Sequence, residues 1–251
     1  MLYYSVAHYY DLGSTNHYKY GISRKKNKYK NIESHINTFK KIETKNKAFI
    51  LTSSINAKRG DKKYDEVKED LYNFCKKLLP DNEINVIVSF NWGGTIAALW
   101  QVYKFLKDKE LYVAHFEEDF GPLNNKWYVD SINILNNTDV VYVGESTTGN
   151  IKKGNDDGRL YGYKYKNVPR LGNPEVWGDG GYYFSNLKNL EIIENKIGIF
   201  HKGDKNTKYE NLIDGISFGE VGFPTLIYHA KLKFKVLKRS EYFNNEWNDN
   251  L

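Results

Sequence analysis

The chain has 251 residues, of which 40% are hydrophobic and 16% aromatic, and this composition excludes a disordered protein. A formal net charge of +6 favours anionic partners such as nucleotide phosphates. The single Cys75 excludes a disulfide framework and a cysteine-based zinc site. Because the sequence shows neither a run of about 20 apolar residues nor a signal peptide, we expect no membrane span and a cytoplasmic protein.

Apolar runs and helical spacings alternate along the first half of the chain. Five apolar runs predict strands, and these are Leu2–Ala7, Ala48–Thr52, Ile84–Phe90, Leu111–Phe116 and Asp139–Gly144. Between them, apolar residues at helical spacing predict helices at Ile32–Ile42, Asp65–Leu79, Ile96–Leu106 and Trp127–Leu135. Continuous apolar strands joined by amphipathic helices are typical of a mostly parallel sheet that is covered on both faces.

The pattern is less regular after Gly144. Residues 145–174 are rich in Gly, Lys, Asn and Tyr and predict a long loop. Two further helices are predicted at Leu187–Ile193 and at Tyr209–Ile216, and residues 219–237 are predicted to form a turn, a helix and a closing strand. The polar chain from Arg239 is expected to fray. We predict one domain, residues 1–240, followed by a polar tail, residues 241–251.

Three consecutive acids, Glu117, Glu118 and Asp119, follow the predicted strand Leu111–Phe116. In sheets of this kind, ligands bind beyond the carboxyl ends of the strands. Neighbouring carboxylates can share a divalent cation that cancels their repulsion, and Mg²⁺ and Mn²⁺ prefer oxygen ligands. The alternative is a solvated acidic turn that caps a helix N-terminus. The position at the end of a central strand favours the metal site.

The order of the motifs resembles the GT-A nucleotide-sugar glycosyltransferases, especially those of the family 2 type. In that family a strand ends in Asn and glycines, a helix with small residues follows, and the next strand ends in Asp-x-Asp. The matching residues here are Asn91, Gly93, Gly94, Ala97, Ala98 and Glu117-Glu118-Asp119. The later segments "GDGGYYFSNLKNL" and "GEVGFPTLIYHAKLKFKVL" resemble the family's acceptor-side and closing segments. The resemblance covers most of residues 1–237 and implies an α/β GT-A fold with a mostly parallel central sheet flanked by helices.

This resemblance implies a glycosyltransferase of the hexosyltransferase type that uses Mn²⁺ or Mg²⁺. It implies transfer, with inversion, from a nucleotide-diphosphate sugar, UDP being favoured, to a hydroxyl of a glycan or another acceptor. Asp119 would be a metal ligand, and Glu117 would bind the metal or the donor ribose. The residues implied to contact the donor are Ser5, Ala7, Ser53, Asn91, Gly93, Gly94, Glu117 and Glu118.

An inverting enzyme also needs a carboxylate that acts as general base on the acceptor hydroxyl. Glu220 is the first choice for this base because it precedes the apolar segment where the family places its base, although Val221 replaces the family's Asp after it. Asp179 is the second choice and Asp214 the third. His201 and His229 could each supply a third metal ligand, but a lone histidine is more often structural.

Two other functions stay open at this stage. A sugar-phosphate nucleotidyltransferase uses a related sheet and a metal, but "AHYYDLGSTNHYKYG" lacks a convincing Gly-rich, Arg/Lys-containing signature after the first strand. A non-enzymatic basic protein that binds nucleic acid or an anionic glycan is the second alternative. Its basic residues would have to form a patch, whereas here they are scattered and no nucleic-acid motif is recognised. We therefore expect no nucleic-acid partner.

Overall fold

The computed structural model of the chain describes residues 1–10, 29–55, 62–90, 94–106, 111–118, 120–146, 178–197, 227 and 230–244. The strands in these ranges are β1 (Leu2–Tyr10), β2 (Lys47–Ile55), β3 (Glu83–Phe90), β4 (Tyr112–Glu117), β5 (Gly121–Pro122), β6 (Tyr142–Ser146), β7 (Gly178–Asn186), β8 (Phe234–Lys238) and β9 (Phe243–Asn244). The helices are α1 (Lys30–Lys41), α2 (Lys63–Leu78), α3 (Gly94–Leu106), α4 (Lys126–Asn137), α5 (Leu187–Ile197) and the single turn α6 (Arg239–Tyr242). The alternation predicted for the first half of the chain is confirmed.

The strands form a seven-stranded sheet in the order β3-β2-β1-β4-β7-β6-β8. Strand β7 is antiparallel to both of its neighbours, and all the other pairs in this sheet are parallel. The short strands β5 and β9 pair with each other in a separate antiparallel ribbon. The carboxyl ends of β1, β2, β3 and β4 therefore meet at one edge of the sheet.

Helices cover both faces of the sheet, which explains why the side chains of β1 and β2 are mostly buried without alternation. One face packs against α1, α2 and α4 through apolar residues such as Ile36, Leu71 and Trp127. The other face packs against α3 and α5 through residues such as Val102 and Leu190. We call these the α1 face and the α3 face. Within the described ranges, no helix is long and apolar enough to span a bilayer.

Strand β7 was not predicted from the sequence. Its first residues, Gly178 to Gly181, include three glycines, and glycine weakens the strand signal. Tyr182, Tyr183 and Phe184 nevertheless insert between β4 and β6 and are buried on both faces of the sheet. The predicted helix Tyr209–Ile216 and most of the predicted loop, residues 147–174, lie outside the described residues.

The expectation that the chain frays from Arg239 is wrong for Arg239–Asn244, which we call the C-terminal segment. Phe243 is buried, and its ring centroid lies 4.7 Å from that of Tyr182 and 5.2 Å from that of Phe120. The Tyr242 hydroxyl donates to Asp130 Oδ2 at 2.7 Å, and this hydrogen bond raises the pKa of Tyr242 to about 12. A polar composition did not predict these anchors, because two aromatic residues are enough to dock a short segment.

His35 fastens α1 to the sheet by two buried hydrogen bonds. Its Nε2 lies 3.1 Å from the carbonyl oxygen of Glu117, and its Nδ1 lies 2.8 Å from the Tyr4 hydroxyl. A carbonyl can only accept, so Nε2 carries the proton and Nδ1 accepts from Tyr4. Burial lowers the pKa of His35 to about 3, despite the opposing effect of nearby backbone carbonyls, so the ring is neutral near pH 7.

The neutral state of His35 predicts a specific pH dependence of stability. Between pH 6.5 and about 3, the unfolded chain protonates His35 and the folded chain does not. This residue should therefore lower the free energy of unfolding by up to about 1.4 kcal/mol for each pH unit below 6.5. Urea titrations at pH 7.5, 6.5, 5.5 and 4.5 should show a shallower slope for His35→Gln than for the wild type. The exposed-site control Asn37→Gln should follow the wild type, and parallel curves for all three proteins would contradict the assignment.

Docking of the C-terminal segment predicts a large cost for truncating its buried aromatic residue. Phe243→Ala should lower the free energy of unfolding by about 3 kcal/mol, because it removes a buried ring from between Phe120 and Tyr182. Leu123→Ala is the matched control directly after the neighbouring strand β5, since Leu123 is 54% exposed and the loss of its side chain should cost less than about 0.5 kcal/mol. Equal unfolding midpoints for the two variants in urea would show that the segment does not dock.

Candidate functional site

Strand register brings several of the predicted site residues to the edge where the parallel strands end. Ala7 pairs with Thr52 on one side and with Glu117 on the other, and the next pair is His8 with Ser53. Asp179 is the second residue of β7. The backbone there lies near the same edge, because β7 runs antiparallel to β4 and pairs Tyr182 with Phe116. Gly94 is the first residue of α3, directly after the segment that leaves β3. The edge thus collects backbone from five elements.

Glu117 is the last residue of β4, and the other two acids follow it; we call residues 117–120 the acid turn. The Phe120 amide donates to the carbonyl oxygen of Glu117 at 3.2 Å. The same carbonyl accepts from His35 Nε2, so both groups fix the backbone of Glu117. Glu117 is half-buried, and Asp119 lies outside the described residues. A hydrogen bond from His35 therefore fixes the backbone at the start of the acid turn.

His8 holds the middle acid of the turn, and sequence reasoning missed this residue. Its Nδ1 lies 3.1 Å from Ser53 Oγ, and its Nε2 lies 3.5 Å from Glu118 Oε2. His8, Ser53 and Glu118 are only 5%, 1% and 8% exposed, so this polar row is largely shielded from water. Glu118 is thus directed to a histidine on the α1 face. The available signal was strand alternation, which places His8 on the same face as Tyr4 and Val6.

The row of Ser53, His8 and Glu118 has the composition of a nucleophilic triad, but its burial does not suit that chemistry. A nucleophilic serine must reach a substrate carbonyl beside donors that stabilise the oxyanion. Ser53 is 1% exposed, and its hydroxyl lies within the β2 strand rather than on a turn. The row is better suited to fixing the position of Glu118 than to attacking a substrate.

A second buried ion pair lies on the other side of the acid turn. The Glu145 carboxylate accepts from Arg239 Nε at 2.5 Å, from Arg239 Nη2 at 2.6 Å and from the Gly181 amide at 3.1 Å. The guanidinium carbon of Arg239 also lies 5.1 Å from the centroid of the Phe120 ring. Sequence reasoning placed Glu145 in a loop and Arg239 in a frayed tail, so it could not pair them.

Ser5, predicted to contact the donor, lies deeper in the sheet than the strand ends. Its hydroxyl is 2.9 Å from His115 Nδ1, and both residues are fully buried. Their register pairs Ser5 with His115 two residues before Ala7 and Glu117. This buried pair lies within the sheet, two residues before the strand ends that form the edge.

Several predicted site residues lie outside the described part of the chain. These are Asn91, Gly93, Asp119, Asp214, Glu220, His201 and His229. For Asp179 and Gly94 the structure describes the backbone only. Among the residues whose positions are described, no group of three His, Cys, Asp or Glu side chains could hold a metal ion. A site built on the acid turn would therefore need Asp119 in addition to Glu117.

Sequence comparisons find no relative of this chain: no protein-family model matches it, and no curated protein matches it significantly. Structure comparison does find similar proteins. A Bacillus anthracis protein assigned as a glucose-1-phosphate thymidylyltransferase, solved with sucrose, aligns with a TM-score of 0.53 and 12% identity over 99% of this chain and 91% of that one. Mouse xyloside xylosyltransferase 1 aligns with a TM-score of 0.47 and 12% identity over 96% and 86% of the two chains. The glycosyltransferase GlyE of Streptococcus pneumoniae aligns with a TM-score of 0.44 and 11% identity over 95% and 46%.

Such low identities establish a shared fold and leave the reaction open. The chain therefore has the GT-A-type fold of the nucleotide-diphospho-sugar transferases, with a mostly parallel central sheet flanked by helices.

Proposed function

We propose that this protein is a metal-dependent glycosyltransferase that moves a sugar from a nucleotide-diphosphate sugar, preferably a UDP-sugar, to an acceptor hydroxyl. The observation that carries the proposal is the acid turn at the carboxyl end of β4, in the centre of a GT-A-type sheet. Ligands of open α/β sheets bind at this edge. The net charge of +6 also favours a diphosphate-containing ligand.

The acid turn suits Mn²⁺ or Mg²⁺ by the chemistry of its donors. These cations take carboxylate oxygens, often only one or two from the protein, and fill the remaining positions with water and phosphate. His8 engages Glu118, so Glu117 and Asp119 are the proposed ligands. When bound, the cation would stabilise the negative charge that develops on the diphosphate leaving group.

The chain's own residues would position the donor around that turn. Ala7 lies beside Glu117 in the register, and its small side chain leaves space at the strand end. Ser53 supports His8 rather than facing the solvent, so we propose that it acts on the donor through His8 and Glu118. Asn91, Gly93 and Gly94 would contribute from the segment between β3 and α3.

Deprotonation of the acceptor hydroxyl needs a carboxylate on the far side of the transferred sugar if the enzyme inverts. Asp179 is supported by its position, because the register of β7 with β4 puts its backbone at the same edge as Glu117. Glu220 is supported by its resemblance to the family's base. We therefore propose one of these two residues as the base.

A sugar-phosphate nucleotidyltransferase is the second candidate. It is favoured by the likeness to the B. anthracis protein assigned as a thymidylyltransferase, at a TM-score of 0.53. The two reactions release different products. A nucleotidyltransferase would release pyrophosphate from a nucleoside triphosphate and a sugar 1-phosphate, whereas a glycosyltransferase would release a nucleoside diphosphate from a nucleotide sugar. Product analysis with both substrate sets separates the candidates.

The donor and metal assignment predicts a joint stabilisation by UDP and Mn²⁺. At a UDP concentration about 100 times its Kd, binding should raise the free energy of unfolding by about 2.7 kcal/mol and the melting temperature by roughly 5–10 °C. Neither compound should do so alone, and Asp119→Ala and Glu117→Gln should each abolish the joint shift. Asp139→Asn, at an exposed ion pair with Lys233, is the control and should keep it. Unchanged Mn²⁺-dependent UDP affinity in both acid variants would refute the metal assignment, and stronger binding of GDP or ADP would refute the preference for UDP.

The base assignment predicts a selective loss of turnover in one of two variants. Glu220→Gln or Asp179→Asn should lower the transfer rate by about 10²-fold or more, with donor affinity nearly unchanged, because a base acts on the acceptor. The measurement is the transfer rate and the donor affinity of each variant, together with its melting temperature. If Glu220 only caps a helix, its variant should lose about 1 kcal/mol of stability and keep its turnover. Near-normal transfer in both variants would exclude both residues as the base.

A further inference from the structure

Phe120 closes the acid turn, and its ring is enclosed by three groups from other parts of the chain. The Arg239 guanidinium lies over it at 5.1 Å, and the Phe243 ring centroid lies 5.2 Å away. On the third side, a Cβ atom added to Gly181 would lie only 2.6 Å from Phe120 Cγ. The same Cβ would lie 2.9 Å from Glu145 Oε1, so glycine at position 181 leaves room for the ring and for that carboxylate. The ring in turn lies next in sequence to Asp119.

Arg239 is itself fixed by Glu145. Its planar guanidinium donates from two nitrogens to both oxygens of that carboxylate, which also accepts from the Gly181 amide. The Glu145 side chain is fully buried and that of Arg239 is 15% exposed. Buried ion pairs of this kind contribute little net stability, because desolvation of the two charges offsets their attraction. Their value lies in the geometry that the bidentate contact imposes.

The backbone around Arg239 runs beside the chain that leaves the acid turn. The Leu123 amide donates to the Tyr242 carbonyl oxygen at 2.9 Å, and Gly121 pairs with Asn244 in the β5–β9 ribbon. The C-terminal segment is thus hydrogen-bonded to the residues directly after Phe120. A displacement of Arg239 would be transmitted to the turn through the ring and through this ribbon.

We propose that Arg239 is a positioning residue for the acid turn, acting through Glu145 and the Phe120 ring, and that the C-terminal segment is therefore part of the donor site. This inference rests on the proposed function for its consequence in binding. The claim that Arg239 constrains the acid turn does not depend on any ligand. Arg239 touches neither the donor nor the metal in this scheme.

The test compares Arg239→Gln with three other variants. Arg239→Lys keeps the charge but cannot make the bidentate contact, so it should behave like Arg239→Gln. Gly181→Ala crowds both the Phe120 ring and Glu145 Oε1 without changing any charge, and it should reproduce the effect through both members of the relay. Lys238→Gln breaks the adjacent exposed pair with Glu241 and is the matched control. All measurements are made at least about 15 °C below the melting temperature of each variant, where every protein is folded.

The first readout is hydrogen exchange of the Phe120 amide, which is monitored by NMR on the ligand-free protein. This amide donates to Glu117, so its protection reports whether the turn is closed. In Arg239→Gln, Arg239→Lys and Gly181→Ala it should exchange at least about tenfold faster, while amides in α2 keep their wild-type rates. Wild-type protection of Phe120 in the Arg239 variants would overturn the proposal, whatever the protein binds.

The second readout is the affinity for Mn²⁺ at saturating UDP, measured by calorimetry. The same variants should bind Mn²⁺ about tenfold or more weakly, as when outer partners of a metal site are lost, and Lys238→Gln should match the wild type. Faster exchange at Phe120 with unchanged Mn²⁺ affinity would overturn the role in the donor site. Absence of Mn²⁺-dependent UDP binding in the wild type would instead refute the proposed function, and the exchange experiment would still decide the constraint on the turn.

Discussion

The architecture of the site depends on one electrostatic constraint, which is that three carboxylates leave a buried strand in succession. Like charges at this spacing repel one another, and burial strengthens the repulsion because fewer waters screen it. The fold directs the middle acid, Glu118, to His8. The backbone of Glu117 is held by His35 and by the Phe120 amide. A divalent cation, which we propose to bind at Glu117 and Asp119, would reduce this repulsion.

Two histidines act on the acid turn in different ways because their surroundings differ. His35 lies under the turn between Tyr4 and a carbonyl, and burial lowers its pKa to about 3, so it serves as a neutral donor. His8 lies at the strand end, and its Nε2 is 3.5 Å from Glu118 Oε2. The neutral ring beneath the turn adds no charge to the buried floor, while the ring beside it contacts an acid. Arg239 acts at a third side, through the Phe120 ring.

The sequence allowed the sheet and its covering helices to be predicted, because continuous apolar strands and helical spacings are local signals. Residues at the strand ends, such as Ser53 and Glu117, followed from those strands and the general position of ligands in such sheets. The contacts that hold the site were not predictable in this way. Glu145 and Arg239 are 94 residues apart, and no local pattern indicates that they pair. The glycines of β7 weakened its strand signal in the sequence. One of them, Gly181, leaves the space that the Phe120 ring occupies.

The central claim is that a metal and a nucleoside diphosphate bind together at the acid turn, and paramagnetic broadening by Mn²⁺ tests it most directly. In amide NMR spectra of the wild-type protein with UDP, substoichiometric Mn²⁺ should broaden the signals of Ala7, Glu117 and Phe120. The signals of Leu2 and Lys47 should stay sharp, because these residues pair at the opposite end of β1 and β2. Broadening that requires UDP and is confined to the acid-turn edge would support the account. Broadening centred elsewhere, or equal with and without UDP, would contradict it.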